Sequence, residues 1–180
     1  MRIIGGRCKG KRIHAPKNLP VRPTTDFAKE ALFNVLNNWY DFEGLKVLDL
    51  FAGTGNMSYE FASRGAESVA SVDANFNCIR FIKNTAHQLD LPIQSFKKDV
   101  FQFLVYNQEQ YDIVFADPPY DLEKITEIPE AIFKIERLKQ NGVVIVEHPK
   151  EIKFDNHSNY RETKKYGKVN FSFFEQTIEH

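Results

Sequence analysis

The sequence feature that most constrains the fold is an alternation of strand-like and helix-like segments between residues 45 and 147. Apolar runs of strand length occur at 45–50, Ser68–Asp73, Ile93–Lys97, Tyr111–Ala116 and 143–147. Helical patterns follow three of these runs, at Asn56–Ser63, 75–89 and 122–138, and Pro129 is expected to interrupt the last. Because parallel strands need crossover connections, the alternation predicts an α/β fold, a mostly parallel sheet with helices on both faces. Ligands of such sheets bind beyond the carboxyl ends of the strands, so candidate site residues are sought there.

Two further elements flank this alternation. Apolar residues recur at helical spacing from Phe27 to Trp39, and Thr24 or Thr25 is suited to cap that helix. Residues 168–178 are predicted to form one strand of a closing β-hairpin.

The composition is that of one globular chain of 180 residues, 42% of them hydrophobic. It has no run of roughly 18 apolar residues and no secretory leader pattern, so we expect a cytoplasmic protein without a membrane span. Cys8 and Cys78 lack a CxxC pattern, and the histidines lack metal-ligand spacing. Reduced thiols and no metal are therefore expected, and we expect a monomer.

The net charge of zero conceals a strongly basic N-terminal segment. Residues 1–25 contain no acidic residue, which leaves a charge of −7 on residues 26–180; the basic residues are Arg2, Arg7, Lys9, Lys11, Arg12, Lys17 and Arg22. A segment of this charge suits a polyanion. A solvated, frayed terminus is the alternative, but Ile3-Ile4 and Gly5-Gly6 indicate partial order. We therefore predict a basic extension over residues 1–25 and one larger domain over 26–180.

A glycine-containing loop follows the first strand of the alternation. Gly53 and Gly55 permit a tight turn and a close approach of backbone N–H groups to a ligand. Two glycines alone are weak evidence, and a simple strand-to-helix turn would explain them. A dinucleotide-binding loop needs a third glycine, where this chain has Ser58, and Asp49 before the loop would repel a pyrophosphate. An acidic residue there suits a ligand with a positive charge and no phosphate, and S-adenosylmethionine fits that description.

The next two strands also end near acidic residues. Asp73 lies close to the offset at which a carboxylate meets ribose hydroxyls, although it could instead cap a helix. Asp99 could accept a hydrogen bond from an adenine amino group while the Val100 backbone meets the ring edge. Taken alone, Asp99 is better explained as a helix cap. Three acidic positions at successive strand ends together favour a binding site for S-adenosylmethionine.

The most specific segment is Asp117-Pro118-Pro119-Tyr120, directly after the apolar strand Tyr111–Ala116. The prolines stiffen the turn, which leaves the Pro118 carbonyl free to accept a hydrogen bond beside the Asp117 carboxylate. These acceptors can hold both N–H groups of an exocyclic base amine, and Tyr120 offers a face on which a base can stack. The alternative is a proline-rich turn with an exposed tyrosine and no function. The glycine loop upstream makes this alternative less plausible.

These segments resemble a known family. Residues 117–120 resemble the (D/N/S)-P-P-(Y/F/W) motif of amino-methyltransferases that act on adenine N6 or guanine N2. More narrowly, the chain resembles the RsmD family in the blocks RIIGG at 2–6, RPTTD at 22–26, KEALFN at 29–34, DLFAGTG at 49–55 and SRGA at 63–66. Members of that family methylate N2 of guanine 966 in bacterial 16S ribosomal RNA. The chain departs from the family in a bulkier, more polar segment after Gly55 and in Asp73, where Glu is common.

The resemblance implies a Rossmann-like, class I S-adenosylmethionine-dependent methyltransferase fold with a seven-stranded sheet. It assigns donor binding to Asp49, Phe51, Gly53, Gly55, Asp73, Asp99 and Val100. It assigns capture of the flipped guanine and catalysis to Asp117, Pro118 and Tyr120. Phosphates of 16S ribosomal RNA, naked or in a partly assembled small subunit, would be bound by Arg2, Arg7, Lys9, Lys11, Arg12 and Arg22.

Three other classes of function remain open on the residues alone. An adenine-N6 methyltransferase would share both central motifs, although a DNA enzyme normally needs a target-recognition domain. A nicotinamide-dependent dehydrogenase is disfavoured by Asp49 and by the missing third glycine. A non-catalytic RNA-binding assembly factor would use the basic extension and leave residues 117–120 without a role.

Overall fold

The computed structural model describes residues 1–21 and 24–176. Within them, one seven-stranded sheet has the order β3-β2-β1-β4-β5-β7-β6. The strands are β1 Lys46–Leu50, β2 Ser68–Asp73, β3 Ile93–Lys97, β4 Tyr111–Ala116, β5 Leu138–His148, β6 Tyr160–Tyr166 and β7 Val169–Glu175. The first five strands are mutually parallel, and β7 runs antiparallel to both β5 and β6. The predicted mostly parallel sheet is confirmed.

Five helices in the described residues cover this sheet, each beginning where the sequence supplies a suitable residue. They are α1 Asp26–Asn37, α2 Asn56–Ser63, α3 Phe76–Gln88, α4 Val100–Tyr106 and α5 Ile128–Lys134. The Thr25 hydroxyl accepts from the Ala28 N–H and begins α1. Asn75, rather than Asp73, caps α3, and Asp99 caps α4. None of these helices is long and apolar enough to cross a membrane, considering residues 1–21 and 24–176.

The core consists of two apolar layers, one on each face of the sheet. Helices α1, α2 and α3 pack on one face, where Phe33 lies 4.7 Å from Phe61 between ring centroids. Helices α4 and α5 pack on the other face through residues such as Leu104 and Ile132. Because both faces are covered, β1 and β4 are almost continuously buried.

The basic N-terminal segment packs against α2 and contributes to the first of these layers. Ile3, Cys8 and Ile13 are buried there, and the segment doubles back on itself through a bridge between Arg2 and Arg12. The fully buried Glu60 carboxylate of α2 accepts the N–H groups of Ile4 at 3.0 Å and of Gly5 at 2.8 Å. The partial order predicted from its apolar residues therefore arises from packing on α2.

Four elements differ from the sequence prediction, and the first is helix α4 at Val100–Tyr106, which was not predicted. Pro129 does not interrupt a helix: it lies in the first turn of α5, where its missing N–H costs no hydrogen bond, after a 3₁₀ turn at Ile125–Glu127. Strand β5 begins at Leu138 rather than at 143, so the predicted helix over 122–138 is too long. Strand β6 was not predicted, and positions 177–178 of the predicted last strand lie outside the described residues.

Candidate active site

The carboxyl ends of β1, β2 and β4 meet at one edge of the sheet and are tied together by backbone hydrogen bonds. The Ala52 N–H donates to the Val72 carbonyl at 2.9 Å, and the Asp117 N–H donates to the Leu50 carbonyl at 3.3 Å. The glycine loop after β1 and the proline turn after β4 are therefore neighbours. The structure brings the two main sequence motifs into one place.

The loop after β1 has a backbone that only glycine adopts readily at its last position. Gly55 has φ +84°, and a Cβ there would lie 2.8 Å from Cζ of Tyr59. Gly53 also has positive φ, as does Phe51, whose side chain packs against the α4–α5 layer. This shape turns the chain directly into α2 and presents the loop at the sheet edge.

Asp73 is held in a fixed orientation beside this loop. One carboxylate oxygen accepts the Gly53 N–H at 2.8 Å, and the other accepts the Asn75 N–H at 2.8 Å. The side chain is half-buried, so it remains accessible from the sheet edge. Each carboxylate oxygen can accept a further hydrogen bond, which is the chemistry that a ribose diol requires.

Asp49 lies beneath the loop and is almost completely buried, with 1% of its surface exposed. Its described hydrogen-bond partner is the Ser58 hydroxyl at 2.5 Å, and Ser58 is also 2.6 Å from the Ser71 hydroxyl. Burial, with a smaller contribution from the charge of Asp73, raises the pKa of Asp49 to about 7. A cation bound nearby would stabilise its ionised form. Ser58, which replaces the third glycine of a dinucleotide loop, thus has a role as the partner of Asp49.

Asp99 and Val100 lie one strand further out, at the end of β3. The exposed Asp99 carboxylate accepts the Gln102 N–H at 3.0 Å and caps α4, while Val100 is buried. The capping role that the sequence favoured for Asp99 is thus present. The second carboxylate oxygen can still accept a hydrogen bond from a ligand at the same edge.

The proline turn presents one half-buried carboxyl group and one exposed ring. Burial is the main cause that raises the pKa of Asp117 well above its ordinary value, and the nearby charges of Glu147 and Asp49 raise it further. Pro118 is buried, whereas half of the Tyr120 surface is exposed. The turn therefore offers acceptors and a stacking surface side by side.

Sequence reasoning missed Glu147, which lies at the same edge of the sheet. It lies near the carboxyl end of β5, the parallel strand next to β4, and is 5% exposed. Its carboxylate accepts hydrogen bonds from the Thr24 hydroxyl at 2.9 Å and from Tyr120. Burial raises its pKa to about 7. The strand-end rule that singled out Asp73 and Asp99 applies equally to Glu147 and could have found it.

The basic residues of the N-terminal segment do not all lie at this edge. Arg7 donates to the backbone carbonyls of Leu89, at 3.3 Å, and Asp90, which follow α3 at the opposite, amino edge of the sheet. Arg2 pairs with Asp26 at 3.4 Å, close to the start of α1. Lys9, Lys11 and Arg12 are exposed. Arg22 lies outside the described residues.

Comparison with known proteins identifies the family. A family model described as Conserved hypothetical protein 95 matches residues 1–175. This chain belongs to the RsmD family. The resemblance seen in the sequence blocks of the RsmD family is thereby confirmed.

Relatives of this RsmD-family chain have names that refer to ribosomal RNA. It is 33% identical over 157 residues to the putative rRNA methyltransferase YlbH of Bacillus subtilis, with 84% of each chain covered. It is 29% identical over 182 residues to the ribosomal RNA small subunit methyltransferase D of Buchnera aphidicola, covering 97% of this chain and 91% of that protein. The solved structure of a putative methyltransferase, yhhF of Escherichia coli, superimposes with a TM-score of 0.85 at 24% identity and 99% coverage of both chains. The predicted Rossmann-like class I methyltransferase fold is confirmed.

The residues at this edge of the RsmD-family sheet fit S-adenosylmethionine. Asp73 offers oriented acceptors for ribose hydroxyls. Gly53 and Gly55 have positive φ values, and the Gly53 N–H is hydrogen-bonded to Asp73. Asp49 offers a buried carboxyl group to which a nearby cation would be favourable. A dinucleotide would place its pyrophosphate beside these carboxylates, an arrangement that the site disfavours.

Proposed function

We propose that this chain methylates the exocyclic N2 amine of a guanine in 16S ribosomal RNA. It is an S-adenosylmethionine-dependent rRNA methyltransferase, as the names of its relatives support. The guanine-N2 proposal is supported by one observation, the adjacency of the two motifs. The Asp117 N–H donates to the carbonyl of Leu50, the last residue of β1 before the glycine loop. A donor held by the loop and a base held by the proline turn would share one crevice.

On the donor side, each strand end supplies one kind of contact. Asp73 accepts the ribose hydroxyls, and Gly53 and Gly55 with Phe51 shape the loop around the donor. Asp99 and the Val100 backbone meet the adenine edge. The buried Asp49 carboxylate favours the positively charged part of the ligand. S-adenosylmethionine supplies a methyl group that its sulfonium already activates.

On the target side, the proline turn orients the amine. The Asp117 carboxylate and the Pro118 carbonyl accept the two N–H groups of the guanine amine, which directs the nitrogen lone pair toward the methyl carbon. Stacking on the exposed ring of Tyr120 contributes about 1–3 kcal/mol to holding a base outside its helix. Asp117 need not be a strong base, because the nitrogen would become cationic on methylation and would then give its proton to the Asp117 carboxylate or to water.

The RNA itself would be held through its phosphates. Lys9, Lys11 and Arg12 are exposed, and Arg2 lies near the start of α1, so these side chains can reach a polyanion. Arg7 is bonded to the end of α3 and would reach a phosphate only at the far edge of the sheet. The substrate is 16S ribosomal RNA, alone or within a partly assembled small subunit.

Nucleoside analysis of the reaction product tests this proposal. The purified chain is incubated with methyl-labelled S-adenosylmethionine and 16S ribosomal RNA from cells that lack the protein, and the RNA is digested for mass spectrometry. We expect label in N2-methylguanosine. Label in N6-methyladenosine, or no transfer to naked RNA and to partly assembled subunits alike, would contradict the proposal.

The variant Asp117→Ala provides the internal control for that assay. It removes an acceptor on the target side and leaves the glycine loop intact. We expect donor affinity, measured by calorimetry, to change little, and turnover to fall by about 10²-fold or more. Near-normal turnover would reject the role of Asp117.

A further inference from the structure

We infer that Glu147 is a positioning residue for the target base. It acts through Tyr120 and Asp117, and it joins the proline turn to the glycine loop, which is called the donor loop below. This inference rests on the proposed function. Glu147 lies outside the glycine loop and the proline turn, and its contacts connect it to both.

The first contact leads from Glu147 to the donor loop. Its carboxylate accepts a hydrogen bond from the Thr24 hydroxyl at 2.9 Å, and the Thr24 carbonyl accepts one from the side-chain amide Nδ2 of Asn56 at 3.0 Å. Asn56 directly follows Gly55 and is held in turn by the Lys29 ammonium at 2.8 Å. Buried hydrogen bonds therefore connect Glu147 to the first residue of α2.

The second contact leads from Glu147 to the base-stacking surface. The Tyr120 hydroxyl donates to the Glu147 carboxylate, while half of the Tyr120 surface stays exposed. A ring that is held at its hydroxyl has fewer orientations in the free protein. Less ordering is then required when a base stacks on it.

The third contact is electrostatic and involves Asp117. Val146 pairs with Ala116 across β4 and β5, so Glu147 and Asp117 are the next residues along two adjacent strands. The other described titratable groups that act on this pair are Asp49, whose charge also raises the pKa of Asp117, and Tyr120, which is hydrogen-bonded to Glu147. The negative charge of Glu147 disfavours ionisation of Asp117, so the two carboxyl groups titrate as a linked pair.

A purely structural role explains these facts poorly. A carboxyl group that is 5% exposed is costly to bury, and a neutral residue would pack at the end of β5 without that cost. Its contacts go to the target turn and to the segment that anchors the donor loop. The proline turn that would hold the base and the loop that would hold the methyl donor thus both connect to the Glu147 side chain.

The variant Glu147→Gln tests the inference, because glutamine keeps the size and one acceptor oxygen but removes the charge. We expect kcat on ribosomal RNA to fall by about 10- to 100-fold while the donor Kd stays within about twofold. We also expect the acidic limb of the kcat profile to move to lower pH, because Asp117 then ionises more easily. A uniform loss of rate with an unmoved limb, or no loss at all, would overturn the inference. Glu67→Gln, an exposed glutamate at the amino edge of the sheet, is the matched control and should leave rate and limb unchanged.

A double-mutant cycle separates the contact with Tyr120 from a general loss of folding. Tyr120→Phe keeps the ring and removes the hydroxyl that bonds Glu147. If Glu147 positions the ring, KM should rise in each single variant. The free-energy changes calculated from these two increases should then not add in the double variant. Additive effects would overturn this part of the inference.

The carboxyl titration of Asp117, followed by NMR in the free protein, keeps the inference distinct from the proposed function. We expect Glu147→Gln to lower the apparent pKa of Asp117, and an unchanged titration would overturn the inference. An absence of N2-methylguanosine in the wild-type assay would overturn the proposed function even if this titration shifts.

Discussion

At the scale of single residues, burial of carboxyl groups is the main electrostatic feature of the candidate site. Asp49, Asp117 and Glu147 all have raised pKa values, with burial as the first cause in each case. Three neighbouring acidic groups are unfavourable in the free protein when all are ionised. Binding of a positively charged donor would relieve part of that cost.

The stability of the free protein should therefore depend on pH through Asp49. Its pKa is about 7 in the folded protein, against 3.8 as the ordinary value, so between these values the folded state binds more protons than the unfolded state. The free energy of unfolding then falls as pH rises through this window, by a few kcal/mol for a shift of this size. Asp49→Asn should lose this part of the pH dependence and be more stable than the wild type at pH about 8.

Urea unfolding at both ends of the window measures that effect. Asp155→Asn, at an exposed position, serves as the control and should follow the wild-type pH dependence. If Asp49→Asn also follows it, burial of Asp49 is not the source.

The same residue should control donor affinity. The ionised form of Asp49 favours a positively charged ligand, so S-adenosylmethionine affinity should rise as pH increases through about 7. Calorimetry at several pH values should show this rise in the wild type and its loss in Asp49→Asn. An equal rise in both proteins would assign the effect to another group.

Gly55 and Gly10 allow backbone strain to be separated from crowding. Both have φ close to +85°, but a Cβ at Gly55 would lie 2.8 Å from Tyr59, whereas at Gly10 nothing lies within 4 Å. Gly10→Ala should cost about 1–2 kcal/mol from backbone strain alone. Gly55→Ala should cost about 1–3 kcal/mol more and weaken donor binding. Equal losses for the two variants in urea unfolding would show that crowding against Tyr59 is unimportant.

At the scale of elements, a buried ion pair joins α1 and α2 in addition to their apolar contacts. The Lys29 ammonium lies 3.3 Å from the Glu60 carboxylate, and both side chains are almost completely buried. Lys29 also donates to the Arg2 carbonyl at 2.6 Å. One side chain thus joins α1, α2 and the N-terminal segment.

Lys29→Met should therefore destabilise the protein strongly. It leaves Glu60 buried with only Arg64 as a charged partner among the described ion pairs, at 2.9 Å. Because that partner remains, we expect a loss at the lower end of the ~3–5 kcal/mol range for a broken buried pair. Lys83→Met on the exposed face of α3 is the matched control, with little expected effect. Equal stabilities in urea unfolding would contradict the role of Lys29.

The elements that could be predicted from the sequence are those with clear apolar periodicity. The strands that end at Asp73 and Ala116 and the helix Asn56–Ser63 were predicted with their observed bounds. Strand β6 is an edge strand that consists mainly of polar and charged residues, so it lacks an apolar signal. Helix α4 is an apolar run too short to show a period, and only its cap Asp99 marks it.

The candidate site was predictable to the extent that its residues lie in local motifs. The glycine loop and the proline turn are contiguous in sequence, and their neighbourhood follows from strand order. Glu147 and Thr24 are far apart in sequence and meet only through the packing of the N-terminal segment on the sheet. Contacts of that kind leave no local pattern.

At the scale of the whole molecule, the N-terminal segment combines a structural role with a proposed RNA-binding role. Ile3 and Ile13 belong to the core, so removing the segment would disturb the fold. Substitution of its exposed basic residues avoids this difficulty. In Lys9→Ala/Lys11→Ala, the buried residues are unchanged.

That double variant should bind ribosomal RNA less tightly and with a weaker dependence on salt. The slope of log affinity against log salt should fall by about 0.7–0.9 for each phosphate contact that is lost. Donor affinity should not change. Lys83→Ala/Lys134→Ala, at exposed positions outside the segment, is the control. A slope equal to the wild-type value would place the RNA surface elsewhere.

The central claim is that the donor loop and the proline turn face one another across a single crevice. A crystal structure with S-adenosylhomocysteine and guanosine bound together tests it most directly. We predict that the donor sulfur points at the guanosine N2 atom and that this atom lies within hydrogen-bonding distance of Asp117 and the Pro118 carbonyl. A guanosine that binds away from the 117–120 turn, or a sulfur that points away from it, would contradict the claim.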